Sequence, residues 1–490
     1  MQRLIYLFLI ICLAVAYSTA LADRDSKGQY QGTYADAQHK HRNGDDRDDD
    51  SDGDSDGDSD SDSDKRSKGL NRAAARELRN AGVDKYLGTS RSEAIDFGVW
   101  TRHEFDRKLV PDITYPLGVR PDGPACIAGD PYSVFTRKGN PKKLLIFLQG
   151  GGACWQGFYN CNVRADDQAP PPGGPFPGVF DPTMPDNPFA DYSVIYMPYC
   201  DGSTFGGDND VNDPDWQKFI EEELELPTGS GPPTRFHRGL RNVSAGMDVA
   251  KEVFPKAKKI TVMGHSAGGV GAAAFTPFLA RFVYGNKTKL TVYNDVGPIA
   301  VNLGTGSPPG NGEFPFGCLD LPCLSVVARA FDWQFPQFYP QSCIDDGRCN
   351  AFGQQTGIIN WRLENDSTIR EGFFEADSDR TNRFFAQGDG TLMDPLVYRN
   401  LILTEHGALN EAYPRRYKRF IVSGDDTHGA VQVTAPTPNF PYLQPFSFYT
   451  QEANGTLLTD WATGFVRGGT RGSQSGWKDI VEDYVPVAIP

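Results

Sequence analysis

A serine stands between two glycines in KKITVMGHSAGGVGAAAF, residues 258–275. The apolar run Ile260–Met263 predicts a β-strand and the small residues after the motif predict a helix, so Ser266 occupies the turn of a G-x-S-x-G nucleophile elbow. The glycines at 264 and 268 are required because a side chain there would collide with the neighbouring strand or helix. The N-terminus of the helix would direct N–H groups at an oxyanion. We therefore predict that Ser266 is the nucleophile of an acyl transfer.

A second glycine run follows another apolar run, in LLIFLQGGGACW of residues 144–155. A glycine-rich turn after an early strand can bring backbone N–H groups up to a substrate oxygen, which predicts an oxyanion-hole role for residues 150–152. A phosphate-binding loop is excluded, because no Lys-Ser/Thr pair follows and no G-x-G-x-x-G frame is present.

A general base must follow the nucleophile in this type of hydrolase, and only two histidines do so. His428 lies about six residues past an apolar run, in RFIVSGDDTHGAV, and is the predicted base. His406 is predicted to lie on the surface of a helix. His265 is predicted to pack beneath the elbow, because it points away from the proton of Ser266.

The sequence does not single out one residue as the acid that orients the base. Asp425 and Asp426 precede the histidine too closely to reach its ring easily. The residues alone leave three candidates for the acid, which are Asp295, Asp389 and Asp394. The acid would hold the imidazole in one tautomer and stabilise the imidazolium.

The elements that carry these residues are short apolar runs separated by helix-like stretches. Continuous apolar strands without alternation are typical of a parallel sheet covered on both faces, and alternating β and α elements predict an open α/β fold. The predicted strands are Lys143–Leu148, Ser193–Met197, Ile260–Met263, Leu290–Tyr293 and Phe420–Val422, and the predicted helices include Gly239–Val253 and Gly268–Phe282.

The N-terminal part of the 490-residue chain has a different character. Arg3, the 14-residue apolar run Leu4–Tyr17 and the small-x-small site Ala20–Ala22 predict a secretory signal over residues 1–22, not a membrane span. Residues 23–68 are predicted to be a disordered Asp/Ser-rich spacer, residues 69–89 a leading helix and linker, and residues 90–490 the catalytic domain.

The charge of the chain is concentrated in that spacer. Twelve aspartates and one arginine between Asp45 and Asp64 contribute -11 of the formal net charge of -15. The rest of the chain is nearly neutral, which excludes a basic nucleic-acid-binding protein.

Cysteines and glycosylation sequons agree with export. Eight cysteines remain outside the signal, at positions without zinc-site spacing, and predict four disulfides in an oxidising compartment. They are Cys126, Cys154, Cys161, Cys200, Cys318, Cys323, Cys343 and Cys349. Candidate N-glycosylation sites are Asn242, Asn286, Asn365 and Asn454.

Taken together, QGGGACW, GHSAGG and the late G-x-x-x-H loop resemble the pectin acetylesterase/Notum family of secreted serine hydrolases, in order and spacing over most of residues 90–475. The resemblance implies an α/β-hydrolase fold, with a mostly parallel central sheet, helices on both faces and disulfide-bridged insertions. It matches Gly151, Gly152 and Ala267 to the oxyanion donors and favours Asp389 as the acid. It also implies a short bridge between Cys154 and Cys161.

Two features depart from the family branches. The animal branch has an aromatic residue where this chain has Gly152, and the plant branch usually flanks its histidine with cysteines where this chain has Thr427 and Gly429. The chain therefore looks like a divergent branch.

The predicted activity is a secreted, monomeric esterase that removes acyl groups, with acetyl favoured, from a polysaccharide such as pectin. No metal or organic cofactor is required, and no nucleic acid or membrane is an expected partner. Two alternatives stay open: a lipid or protein carboxylesterase resembling Notum, and a catalytically silent binding protein on the same fold.

Overall fold

The computed structural model describes residues 69–90, 92–97, 100–105, 123–165, 170, 177–297, 329–349, 355–388, 391–432, 447–467 and 477–487. The predicted signal (1–22) and acidic spacer (23–68) lie outside these residues. Two of the predicted disulfide cysteines, Cys318 and Cys323, lie outside them as well. The described residues belong to one compact unit.

Ten strands of the described residues form the central sheet. They are β1 Ser92–Phe97, β2 Trp100–Phe105, β3 Ser133–Arg137, β4 Asn140–Leu148, β7 Tyr192–Met197, β10 Lys259–His265, β11 Lys289–Asp295, β12 Arg370–Ala376, β13 Tyr417–Val422 and β16 Ile480–Val481. Across the sheet they follow the order β1-β2-β3-β7-β4-β10-β11-β12-β13-β16. The seven strands from β7 to β16 in this order run parallel, whereas β1, β2 and β3 pair antiparallel at one edge.

The described residues also form three two-stranded sheets outside this central sheet. They are β5 Gly152–Trp155 with β6 Phe158–Cys161, β8 Asn209–Asn212 with β9 Thr234–His237, and β14 Glu452–Ala453 with β15 Thr456–Leu457.

The α-helices of the described residues connect and cover these strands. They are α1 Arg72–Asn80, α2 Pro214–Glu223, α3 Gly239–Val253, α4 Ala267–Ala273, α5 Thr276–Tyr284, α6 Gln341–Asp345, α7 Gln355–Asn365, α8 Arg380–Gln387, α9 Pro395–Ala412 and α10 Leu458–Arg467. None of them is both long and apolar enough to cross a membrane.

Both faces of the sheet are covered, as the apolar runs predicted. Along β4, Leu144 and Ile146 belong to one buried cluster, whereas Leu145 and Phe147 belong to another. Helix α3 packs in the first cluster and α10 packs in the second. The five predicted strands are all observed with bounds within a few residues, and the predicted α/β-hydrolase architecture is confirmed.

The helix after the elbow differs from the prediction. The predicted helix Gly268–Phe282 is divided into α4 and α5, which are separated at Ala274, whose backbone (φ -84°, ψ -108°) is not helical. Helix α5 then begins with Pro277 in its first turn, a position that tolerates the missing N–H of proline.

The N-terminal boundary of the folded domain also differs. A helix, α1, is present in the segment predicted to be a leading helix, but the segment is not a linker. Leu70, Ala74 and Leu78 are buried in the same core cluster as β4 and α3. The folded domain therefore includes residues from Gly69 onward, rather than beginning at residue 90.

Three of the disulfides lie in the described residues: Cys126–Cys200, Cys154–Cys161 and Cys343–Cys349. The Cys154–Cys161 bridge is the one that the resemblance implied. It closes the β5–β6 hairpin directly after the glycine loop.

Burial corrects the expectation for one sequon. Asn242 is 0% exposed within α3, and its side chain exchanges hydrogen bonds of 3.0 Å with the main chain of Ala125 in both directions. It is therefore not available for glycosylation in the folded protein. Asn286 and Asn454 are exposed and Asn365 is half-buried, so these three stay candidates.

Candidate active site

Ser266 lies at the elbow between β10 and α4, with a backbone conformation (φ 52°, ψ -119°) that non-glycine residues rarely adopt. A Cβ at Gly264 would lie 2.0 Å from the carbonyl oxygen of Gly268, and one at Gly268 would lie 2.1 Å from the carbonyl oxygen of Leu148. Both glycines are therefore required by close backbone approach. Ser266 is partly exposed while its neighbours on both sides are buried, so its hydroxyl is within reach of a substrate.

His428 is placed against this serine by the loop after β13. Its Nε2 lies 3.0 Å from Ser266 Oγ, and its Nδ1 lies 2.7 Å from Asp379 Oδ2. The carboxylate accepts the Nδ1–H, so Nε2 carries no proton and can accept that of the serine. The histidine is 5% exposed and the aspartate is 0% exposed, so these groups act in surroundings with little water.

The carboxylate behind His428 is that of Asp379 rather than Asp389, the residue favoured by the resemblance. Asp389 lies outside the described residues. Asp379 follows β12 by three residues and also caps α8, with its Oδ1 accepting the N–H of Asn382 at 2.9 Å. Because β12 is one of the parallel strands, its carboxyl end and that of β10 meet at the same edge of the sheet.

The two other candidate acids have different partners. Asp295 Oδ2 lies 2.8 Å from His265 Nδ1, directly beneath the elbow. Asp394 caps the N-terminus of α9 by accepting the N–H groups of Leu396 and Val397. The printed bonds of these two carboxylates go to groups other than the ring of His428, and the third candidate, Asp389, lies outside the described residues.

The two other histidines that the sequence analysis considered, His265 and His406, are both buried. His265 is 0% exposed as predicted, and burial lowers its pKa. His406 lies in α9, as expected of a helical residue, but it is 1% exposed rather than on the surface. It stacks on Phe373 and bonds Tyr417 Oη at 2.6 Å, and burial lowers its pKa to about 3. His406 is therefore a neutral core residue.

A second buried carboxyl group, Glu375, lies beside Asp379. The amide Nδ2 of Asn382 donates to Glu375 Oε2 at 3.2 Å and to Asp379 Oδ2 at 3.3 Å. Burial, together with the negative charge of Asp379, raises the pKa of Glu375 well above its ordinary value. Both effects favour the protonated form of Glu375 over its ionised form.

The glycine loop lies against the elbow. A Cβ at Gly150 would lie 3.0 Å from Ser266 Cβ, and Gly152 has φ +77°, a conformation suited to glycine. The N–H of Asn162 donates to the carbonyl of Gly151 at 2.8 Å, which ties the loop to the end of the β5–β6 hairpin. Ala267 begins α4 directly after the serine. Gly150 of the loop and Ala267 of the helix therefore both lie next to Ser266, and the oxyanion role of Gly151, Gly152 and Ala267 stays a prediction.

Among the described residues, no group of three or more histidine, cysteine or carboxylate side chains is arranged to hold a metal ion. The fold and the arrangement of serine, histidine and aspartate define the class: an α/β-hydrolase with the constellation of a serine hydrolase. Residues 112–297 match the model of the family described as Pectinacetylesterase. This match confirms, over that part of the chain, the resemblance that the motifs predicted.

The chain is also similar to the solved structure of the Wnt deacylase Notum from Drosophila. The similarity has 16% sequence identity and a TM-score of 0.45, and covers 70% of this chain and 89% of that one. No curated protein matches the sequence. The family match supports a carboxylic ester hydrolase in general terms, and the described disulfides fit an oxidising compartment.

Proposed function

We propose that the protein is a secreted serine esterase that removes acetyl groups from an acylated polysaccharide such as pectin. The observation that carries the proposal is the continuous hydrogen-bonded chain from Ser266 Oγ through His428 to Asp379, with distances of 3.0 and 2.7 Å. These distances are those of a nucleophile, its general base and an orienting acid. The matched family supports the choice of a pectin-like acetyl ester.

The reaction proceeds in two acyl transfers. His428 Nε2 takes the proton of Ser266 Oγ as the oxygen attacks the ester carbonyl, and Asp379 stabilises the imidazolium that results. The N–H groups of Gly151, Gly152 and Ala267 hold the oxyanion. The imidazolium protonates the alcohol oxygen as it leaves. Water, deprotonated by the same histidine, then attacks the acyl-serine ester and releases the free acid and the serine.

The proposal is tested first by the substitution Ser266→Ala. The variant should lose turnover of p-nitrophenyl acetate while its far-UV circular dichroism stays that of the wild type. Release of acetate from acetylated pectin should be lost in parallel. Undiminished hydrolysis by a folded Ser266→Ala protein would contradict the assignment of the nucleophile.

Acyl-chain length separates the acetylesterase from its closest alternative. Wild-type kcat/KM should be highest for p-nitrophenyl acetate and should fall for esters of increasing chain length up to palmitate. A maximum at the long chains would favour a lipid or protein deacylase of the kind that Notum represents. Absence of both turnover and labelling by a fluorophosphonate would favour the catalytically silent binding protein.

A further inference from the structure

Asp295 holds the nucleophile elbow through its main chain. It is the last residue of β11 and pairs in register with His265, the last residue of the neighbouring strand β10. Its carbonyl oxygen accepts the N–H of Ser266 at 2.8 Å. Asp295 is 0% exposed, so this bond is shielded from water. The backbone position of the nucleophile is therefore fixed by Asp295.

The side chain of the same residue holds the loop that carries the base. The N–H of Ala430, two residues after His428, lies 3.1 Å from each carboxylate oxygen of Asp295. The N–H of Val431 lies 3.4 Å from Oδ2. Asp295 thus contacts both segments that carry the reacting groups. Its carbonyl oxygen bonds the main chain of Ser266, and its carboxylate bonds the loop that carries His428.

A hydrogen bond from His265 holds the carboxylate of Asp295 in position. Its neutral ring donates the Nδ1–H to Asp295 Oδ2 at 2.8 Å, and its ring centroid lies 5.3 Å from that of His428. Gly429, with φ +81°, packs against the pair so closely that a Cβ there would lie 2.3 Å from His265 Cε1 and 2.6 Å from Asp295 Oδ2. The base loop therefore rests directly on the His265–Asp295 pair.

We propose that Asp295 is a positioning residue that sets the distance between Ser266 Oγ and His428 Nε2. The inference rests on the proposed function, because it assigns a role in the same reaction. Asp295 touches neither of the two reacting atoms. Its loss should displace the base loop and lower kcat while leaving KM unchanged, since misplacement of a reacting group by about 1 Å can cost about 10²-fold in rate.

Two substitutions disturb this arrangement in different ways. Asp295→Ala removes the carboxylate. Gly429→Ala retains every hydrogen-bonding group, but it pushes the base loop away from His265 and strains the backbone at position 429, where φ is +81°. Both variants, made in the full chain, should lower kcat for p-nitrophenyl acetate about 10²-fold with KM unchanged. Asp295→Asn keeps one oxygen that can accept the N–H of Ala430, and should therefore restore most of the lost activity.

Asp366 supplies a matched control. It is 1% exposed, and its Oδ1 accepts the N–H groups of Thr368 at 3.0 Å and Ile369 at 3.2 Å, as Asp295 accepts two N–H groups. Asp366 precedes β12, so it lies at the amino ends of the parallel strands, whereas Ser266 lies at their carboxyl ends. Asp366→Asn should lower the melting temperature and leave kcat as in the wild type.

A crystal structure of Gly429→Ala tests the inference without reference to activity. The separation of Ser266 Oγ from His428 Nε2, which is 3.0 Å in the native protein, should lengthen. The inference would be overturned if this distance is unchanged in the Gly429→Ala crystal structure. It would also be overturned if either folded variant, Gly429→Ala or Asp295→Ala, has the kcat of the Asp366→Asn control. A wild-type enzyme inactive on all esters would instead contradict the proposed function, and the crystal structure would still decide the positioning role.

Discussion

Replacing Asp379 by asparagine should inactivate the enzyme without unfolding it. The carboxylate accepts the Nδ1–H of His428 at 2.7 Å. An asparagine that presents its NH₂ to Nδ1 favours the opposite tautomer, in which Nε2 carries the proton and cannot accept that of Ser266. The corresponding change in a serine hydrolase lowers kcat about 10⁴-fold, which is about 5.5 kcal/mol of transition-state stabilisation. Asparagine is also a good helix cap, so the N-terminus of α8 should keep its hydrogen bond from the N–H of Asn382.

The assay compares Asp379→Asn with Asp389→Asn, the variant of the acid that the resemblance favoured. Initial rates on p-nitrophenyl acetate and thermal melts should be measured on both proteins and on the wild type. We expect Asp379→Asn to lose about 10⁴-fold in kcat with its melting temperature retained, and Asp389→Asn to keep wild-type activity. Near-normal turnover by Asp379→Asn, or a comparable loss in Asp389→Asn, would refute the argument from the hydrogen-bonded chain.

Three further predictions concern stability. The pKa of Glu375 is raised in the folded state above its ordinary value of 4.5. Above about pH 4.5 the unfolded chain has therefore released a proton that the folded protein still binds. The free energy of unfolding should fall as the pH rises from about 4.5 to the pKa of Glu375 in the folded protein. Urea unfolding of Glu375→Gln should lack this pH dependence, and a pH profile identical to that of the wild type would show that Glu375 is ionised beside Asp379. Gly268→Ala should fail to form the elbow, so soluble protein with wild-type kcat would contradict the packing argument. Glu371→Ala leaves the buried Arg362 unpaired and should cost about 3–5 kcal/mol in urea unfolding, while a loss below about 1 kcal/mol would contradict the pairing.

The sequence predicted the nucleophile elbow and the strands around it because their signals are local. The run Ile260–Met263 and the glycines beside Ser266 lie in one short segment, and the observed β10 extends the predicted strand by only a few residues. Helix α3 has the predicted bounds, Gly239–Val253. Apolar runs and glycine positions therefore suffice where the neighbours along the chain determine the structure.

Asp379 could not be predicted as the acid because the strand before it, β12, does not have the apolar sequence that predicts a buried strand. Strand β12 reads REGFFEA and holds two glutamates that are both buried. Glu371 is neutralised by Arg362, whose guanidinium donates two bonds of 2.7 Å, and Glu375 is bonded by Asn382. These partners lie on α7 and α8, so only the tertiary structure shows that a charged segment forms a central strand. Asp379 follows this strand and was missed with it.

Burial of single polar residues is similarly invisible in the sequence. Asn242 satisfies the sequon pattern, and His406 occupies a helix with polar neighbours, yet both are fully enclosed. Asn242 is bonded to Ala125, which is 117 residues away in the chain, and His406 is bonded to Tyr417 on strand β13. Such contacts depend on how helices dock on the sheet, which the local pattern does not encode.

The central claim is that Ser266 is the nucleophile and that His428 activates it. The most direct measurement is mass-spectrometric mapping of the residue that a fluorophosphonate modifies. This assignment of Ser266 and His428 predicts that Ser266 alone is phosphonylated in the wild type, and that a folded His428→Gln protein reacts far more slowly. Modification of a different residue, or full ester hydrolysis by a protein whose Ser266 stays unmodified, would contradict it.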